Sequence, residues 1–197
     1  MKEIILGSYS PRRVEIMNFF SLPYRQVASH FDEDSVTYEG DAIKLARTLA
    51  LAKANLLATQ YPDDIILTAD TVVAIDGMAL GKPLHEDESR QMLSRLCGRW
   101  HSVITAVASY KAGKFYCVEE ETRVLFNKAT PDELHRYMRV HDLYDKAGSY
   151  AIQKSGSILV NRIDGCYYNV LGLPINAMKS VLKEVGIDLW DYIKELA

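Results

Sequence analysis

Apolar residues recur along this chain at two spacings, and each change of spacing marks an expected element. Residues 4–7 (IILG) form a short apolar run that predicts a first strand. Ser10 and Pro11 read as the N-cap and first position of a helix, with Val14, Met17 and Phe19 or Phe20 at helical spacing. A second strand is expected at about residues 24–27. Residues 41–59 (DAIKLARTLALAKANLLAT) are the clearest helix, with Ala42, Leu45, Ala46, Leu49, Ala52, Leu56 and Leu57 gathered on one arc. Residues 65–67 open a buried strand, and Asp76-Gly77 between two strand-like stretches signals a hairpin.

Further on, residues 86–96 predict a helix closed by Cys97-Gly98, and residues 101–110 and 115–126 a β-ribbon with Gly113 in its turn. Thr130-Pro131-Asp132-Glu133 is a capping box that starts a helix running to about residue 140. Residues 157–163 and 167–170 flank Asp164-Gly165 as another hairpin, Pro174 starts a helix to about residue 184, and an amphipathic segment, 189–196, ends the chain.

Several polar residues break this pattern, and they are the candidates for chemistry. Asp70 is expected where the strand after residue 65 surfaces, as a catalytic carboxylate or simply a loop cap, and Lys82 follows the hairpin. Arg12 and Arg13 put two cations in a first helical turn, against the macrodipole. Either both are exposed, or an anion such as a phosphate compensates them together with the Ser8 and Ser10 hydroxyls. Lys53 falls inside an apolar arc, where an ammonium must reach the edge or meet a buried anion. Asp32, Glu33 and Asp34 form a solvated loop or offer oxygen ligands to a divalent cation. Residues 142–153 resemble a functional loop, in which Asp145 and Lys146 suit a local surface pair. Gln153 in that loop suits either the surface or the edge of a planar heterocycle. The ordinary reading of His101, alone at a strand start, is structural.

Composition narrows the classes. A length of 197 residues, 48% of them hydrophobic, suffices for one substantial core, and no linker or repeat divides it, so residues 1–197 are read as a single domain. A net charge of −3 argues against a nonspecific nucleic-acid or membrane-surface binder, so a polyanionic substrate needs locally gathered cations. No apolar run reaches the length of a membrane span and the N-terminus lacks a signal-peptide core, which leads to a cytoplasmic expectation. Cys97, Cys117 and Cys166 are too widely spaced for a zinc site or disulfide framework. A P-loop GxxxxGK[ST] is absent, which argues against a GTPase or kinase.

Five ordered blocks, LGSYSPRR (6–13), ADTVV (69–73), GKP (81–83), DKAGSYAIQ (145–153) and NVLGLP (169–174), resemble the Maf family of nucleoside triphosphate pyrophosphatases. The resemblance spans nearly the whole chain. It implies a mixed α/β fold related to the inosine triphosphate pyrophosphatases, with a twisted sheet, flanking helices and a cleft between two lobes that holds a nucleotide and a divalent metal, Mg2+ or Mn2+. Asp70 matches the family's catalytic carboxylate and Glu33 its second acidic residue, both toward the metal. Ser8, Arg12, Lys53 and Lys82 match positions that line the triphosphate site. Arg13, Thr71 and Gln153 match the branch resembling dTTP/UTP pyrophosphatases rather than the 7-methyl-GTP branch. A homodimer is also implied. The implied reaction is attack of water on the α-phosphorus, with release of the monophosphate and pyrophosphate. The competing reading is a noncatalytic nucleotide-binding regulator of septum formation. Gly7 departs from the family pattern, where alanine is usual.

Overall fold

The structure is a computed structural model that describes residues 3–194. Its seven strands join one mixed sheet, in the order β2-β1-β3-β5-β6-β7, with β4 paired to β3. Strands β1 (Ile4–Leu6) and β2 (Tyr24–Gln26) run parallel, and β1 also runs parallel to β3 (Ile66–Ile75). The remaining pairings are antiparallel: β3 with β4 (Met78–Leu80) and β5 (Trp100–Lys111), β5 with β6 (Lys114–Phe126), and β6 with β7 (Val160–Asp164). The β3-β4 turn is made by Asp76 (φ 52°) and Gly77 (φ 72°), and the β5-β6 turn by Ala112 (φ 48°) and Gly113 (φ 83°). Two consecutive positive φ angles match the right-handed twist of the strands, which is why such short turns close these hairpins.

The sheet is covered differently on its two faces. Helix α2 (Ala42–Gln60) lies on one face, capped by the Asp41 side chain, which accepts from Lys44 N–H at 2.9 Å. Its buried stripe is Ala46, Leu49, Ala50, Lys53, Ala54, Leu57 and Ala58, about a quarter turn round from the expected arc. The alanines cause the rotation. Ala46, Ala50 and Ala54 pack on Val72, Ile104, Ala106 and Ala108, and their small side chains allow close approach, while Ala52 and Leu56 stay half-buried. The Thr68 hydroxyl of β3 donates to Ala50 O at 2.8 Å and fixes the register of helix on strand.

The opposite face carries the larger core, built by Leu67, Ala69, Val73, Val103 and Val107 against α1 (Pro11–Met17), α5 (Tyr167–Leu171) and α6 (Ile175–Glu184). Helix α1 stops at Met17, short of the expected Phe19 or Phe20, because Phe20 leaves it to bridge Ile193. Helices α3 (Glu86–Leu96) and α4 (Pro131–Val140) have the expected bounds, and the capping box at Thr130 and Glu133 is formed. The second arm of the hairpin expected around Asp164-Gly165 is instead α5. Its buried Asn169 donates through Nδ2 to Val103 O and Thr122 Oγ1, both at 2.9 Å, so tertiary bonds override the strand preference of the local sequence. Within the expected segment 189–196, Leu189–Tyr192 form a 3-10 turn, and residues 195 and 196 lie outside the described residues.

His101 opens β5 and is buried. Its Nε2 lies 3.0 Å from the Tyr150 hydroxyl, and the rings of Phe126 and Tyr150 meet it edge to face. Burial lowers its pKa to about 4. Between pH 6.5 and about 4 the unfolded chain therefore binds a proton at this site that the folded chain refuses. Stability is full above pH 6.5 and falls on acidification through this window, by up to about 3 kcal/mol for this group. Urea titrations at several pH values should show a shallower loss for His101→Asn than for the wild type, and equal slopes would remove His101 as a source of acid sensitivity.

Candidate active site

The site begins with a gap in the sheet. Strand β1 ends at Leu6, opposite Leu67, and β4 takes up pairing with β3 only at Val73. Among the described residues, that edge of β3 therefore has no strand neighbour from Thr68 to Val72, and a cavity of about 650 Å³ opens there. Gly7 carries the chain past the gap at close range. A Cβ on it would meet Leu57 Cδ1 and Thr68 Cγ2, each at 2.7 Å, so an alanine here needs both side-chain ends to shift.

Asp70 is the fifth residue of β3, in register with Ala106, and only 6% exposed. The expectation that it marks a strand end is therefore corrected: it sits in mid-strand and reaches the cavity through the uncovered edge. Lys53 Nζ of α2 lies 2.5 Å from Asp70 Oδ1 and 2.7 Å from Glu33 Oε1. Of the alternatives for a lysine on an apolar arc, the chain takes the buried anion. Glu33 comes from a 3-10 turn, Glu33–Ser35, and its Oε2 lies 3.6 Å from Lys82 Nζ. Of the three neighbouring acids, only Glu33 lines the cavity.

Electrostatics differ between the two carboxylates. Burial drives the Asp70 pKa up, and the pull of Lys53 and Arg13 in the other direction does not offset it. Burial acts upward on Glu33 as well, yet Lys53 and then Lys82 outweigh it and hold this carboxyl below its ordinary range. One carboxylate is thus primed to accept a proton and the other to stay charged.

The next residue of the strand, Thr71, points to the opposite face. Its Oγ1 accepts from Arg13 Nη2 at 3.2 Å, while Arg13 Nε donates to Gly172 O at 2.7 Å and Nη1 to Ser8 Oγ at 3.3 Å. Burial lowers the Arg13 pKa, with Asp70 acting against it. Gly172 needs its left-handed φ of 97° as the α5 cap, and it presents its carbonyl to Arg13. Val73, Val103, Ile152 and Val170 make this half of the cavity apolar. Arg12 stands at the wall, 3.4 Å from Asp145, which also pairs with Lys146.

Ser8, Arg12, Arg13, Glu33, Lys53, Asp70, Thr71 and Lys82 are thus brought to one cavity. Gln153 is not among its lining residues: its Nε2 donates to Glu15 Oε2 at 3.2 Å, on the outer side of α1. Two further residues were not assigned to the site from the sequence, one in the cavity wall and one buried behind it. Lys146, expected as one half of a surface pair, is half-buried in the wall. Thr105, directly across β5 from Thr71 and bonded to it, has one signal only, a hydroxyl inside the apolar run 103–108 (VITAVA).

For a metal, the donor set is specific. Asp70 Oδ1 and Glu33 Oε1 converge on one point, now held by an ammonium, and no cluster of three or more His, Cys, Asp or Glu among the described residues adds to them. Two carboxylates are the hard-oxygen donors that a magnesium or manganese ion would take.

Comparison with known proteins identifies the family of the chain. A family model described as Maf-like protein matches residues 3–185. A dTTP/UTP pyrophosphatase of Chlamydia felis is 41% identical over 192 residues, covering 97% of this chain and 98% of the relative. A nucleoside triphosphate pyrophosphatase of Chlamydia muridarum is 38% identical over the same coverage, and a dTTP/UTP pyrophosphatase of Caldicellulosiruptor bescii is 38% identical, covering 96% of this chain and 98% of the relative. Among solved structures, the Staphylococcus aureus Ham1 protein overlaps with a TM-score of 0.46 at 14% identity, over 64% of this chain and 72% of that one. With a family model covering most of its length and relatives at about 40% identity end to end, the chain belongs to the Maf-like protein family.

Proposed function

We propose that this protein hydrolyses dTTP, UTP or closely related pyrimidine nucleoside triphosphates to the monophosphate and pyrophosphate, clearing them from the nucleotide pool. The observation that carries the reading is a buried mid-strand carboxylate, Asp70, paired to Lys53 at 2.5 Å in a cavity that also gathers Arg12, Arg13 and Lys82. The names of relatives aligned end to end supply the substrates.

In this reaction, water attacks the α-phosphorus. A P–O bond forms, the bond to the oxygen bridging the α- and β-phosphorus breaks, and pyrophosphate leaves. The proton of the attacking water passes to Asp70, whose burial raises its affinity for that proton. Lys53 favours the ionised form of Asp70 against the effect of burial and sits close enough to Glu33 to hold both carboxylates in place. Arg12 and Lys82 balance the triphosphate charge, which is the main task in reactions of this type. A magnesium or manganese ion held by Glu33 and Asp70 would supply further charge neutralisation and lower the pKa of bound water. On the other face, the apolar wall with Arg13 and Thr71 suits the nucleoside. A homodimer in the cytoplasm belongs to the same reading. No helix among the described residues is long and apolar enough to cross a membrane.

Pyrophosphate release measured over canonical and modified nucleotides, with magnesium or manganese, tests the reading, and no release from any of them would favour the noncatalytic regulator. Asp70→Asn is expected to bind nucleotide yet turn it over at least about a hundredfold more slowly, so near-normal turnover in this variant would remove Asp70 from its role. Lys53→Met leaves a buried carboxylate without its cation and should lower the unfolding free energy in urea by about 3 kcal/mol. Gln153→Ala should shift the preference for UTP over other nucleotides by no more than a factor of about two to three, because its bond to Glu15 lies outside the cavity. A larger shift would mean that Gln153 turns inward when substrate binds.

A further inference from the structure

The hydrogen bonds behind Thr71 have a fixed direction. Thr105 is fully buried on β5, in register with Thr71 on β3. Its Oγ1 lies 3.0 Å from the Asn169 carbonyl oxygen and 3.0 Å from Thr71 Oγ1. A carbonyl oxygen only accepts, so the one proton of the Thr105 hydroxyl goes to Asn169. Between the two threonines, Thr71 must then be the donor and Thr105 the acceptor. The Thr71 proton is thereby committed to the interior of the protein. What Thr71 turns outward is lone-pair density, one share of which receives Arg13 Nη2 at 3.2 Å.

The anchor of this chain of bonds is rigid. Asn169 is fully buried, and its carbonyl also accepts from Gly172 N–H at 2.9 Å. Its side-chain amide is held by Val103 O and Thr122 Oγ1. Gly172 returns to the cavity, since its own carbonyl accepts from Arg13 Nε at 2.7 Å. The guanidinium donors of Arg13 and the acceptor oxygen of Thr71 are therefore set side by side on one wall.

We propose that Thr105 is a specificity-determining positioning residue, which fixes the Thr71 hydroxyl as an acceptor and so selects bases that carry an imide N–H beside a carbonyl oxygen. This rests on the pyrimidine triphosphate reading above. Uracil and thymine present an N3–H donor flanked by carbonyl acceptors, matching an acceptor at Thr71 and donors on Arg13. Cytosine presents a lone pair at N3 and an amino group at C4, so it meets lone pair against lone pair and donor against donor. To accept cytosine, Thr71 must turn its proton into the cavity, which breaks its bond to Thr105. A mismatch of this kind is a strong source of discrimination, because buried polar groups are left unpaired. Thr105 acts without touching the base.

The test compares kcat/KM for UTP and CTP in the wild type and in Thr105→Val, which keeps the shape of the side chain and removes its acceptor. Valine at 105 frees the Thr71 proton to point outward, and the preference for UTP over CTP should fall by about tenfold, the worth of one hydrogen bond. Thr105→Ser keeps the hydroxyl and should restore the preference, which a merely structural loss would not do. Urea midpoints establish that each variant is folded, and Thr105→Ala removes the same oxygen if the valine variant does not fold. A wild type that hydrolyses UTP, with an unchanged UTP to CTP ratio in a folded variant lacking the hydroxyl, overturns this inference and leaves the proposed reaction standing. A wild type that releases no pyrophosphate from UTP overturns the reaction itself, and the inference with it.

Discussion

The contact between Lys53 and Asp70 is the constraint on which the site depends. A carboxylate in the middle of a central strand, covered by a helix, is costly to ionise unless a cation comes with it. The cation is supplied by α2, and the helix needs its alanine face against the sheet so that Nζ reaches Oδ1. The bond from Thr68 to the backbone of Ala50 fixes the same register. Helix packing, strand register and site electrostatics are therefore one arrangement. Changing the alanine stripe would move the charge as surely as changing the lysine.

The uncovered edge of β3 has a second consequence. Successive side chains of a strand point to opposite faces, so Asp70 and Thr71 are adjacent in sequence yet belong to different environments. Elsewhere in the sheet, neighbouring strands would keep those environments apart. Here β1 has ended and β4 has not begun, so both faces open into one cavity. The Asp70 face carries Lys53 and Glu33. The Thr71 face carries Arg13, Gly172 and the apolar wall. The pairing of charge chemistry with recognition of an uncharged group thus arises from a missing stretch of strand and the two-residue period of β structure.

What was legible in the sequence follows the range of the interactions involved. The α3 and α4 bounds were legible because their caps are set by residues a few positions away. Lys53 was legible as a misfit, since a charge on an apolar arc is visible without knowing its partner. The exact arc of α2 was not, because Ala, Leu and Lys score by hydrophobicity while the sheet selects by size. Residues 167–170 resembled a strand locally, and only the distant partners of Asn169 on β5 and β6 make them helical. The mid-strand place of Asp70 depends on where two other strands stop, which no local pattern carries. Gln153 matched a motif, but the contact with Glu15 that directs its side chain is 138 residues away.

The cavity also explains how a strongly cationic site stays stable without an anion bound. Its cations are already engaged: Lys53 with Asp70 and Glu33, Lys82 with Glu33, and Arg12 with Asp145. Five cations, counting Arg13 and Lys146, face three carboxylates. In the proposed reaction a triphosphate does not fill an empty positive pocket but exchanges with these internal anions. Such an exchange favours the ligand of highest charge density, because each internal pair given up must be matched by a new one. A monophosphate can replace fewer of them, so the internal carboxylates compete with the product far more effectively than with the substrate. The same ion pairs that make the buried carboxylate tolerable would thus favour release of the monophosphate once the α-β bond is cut.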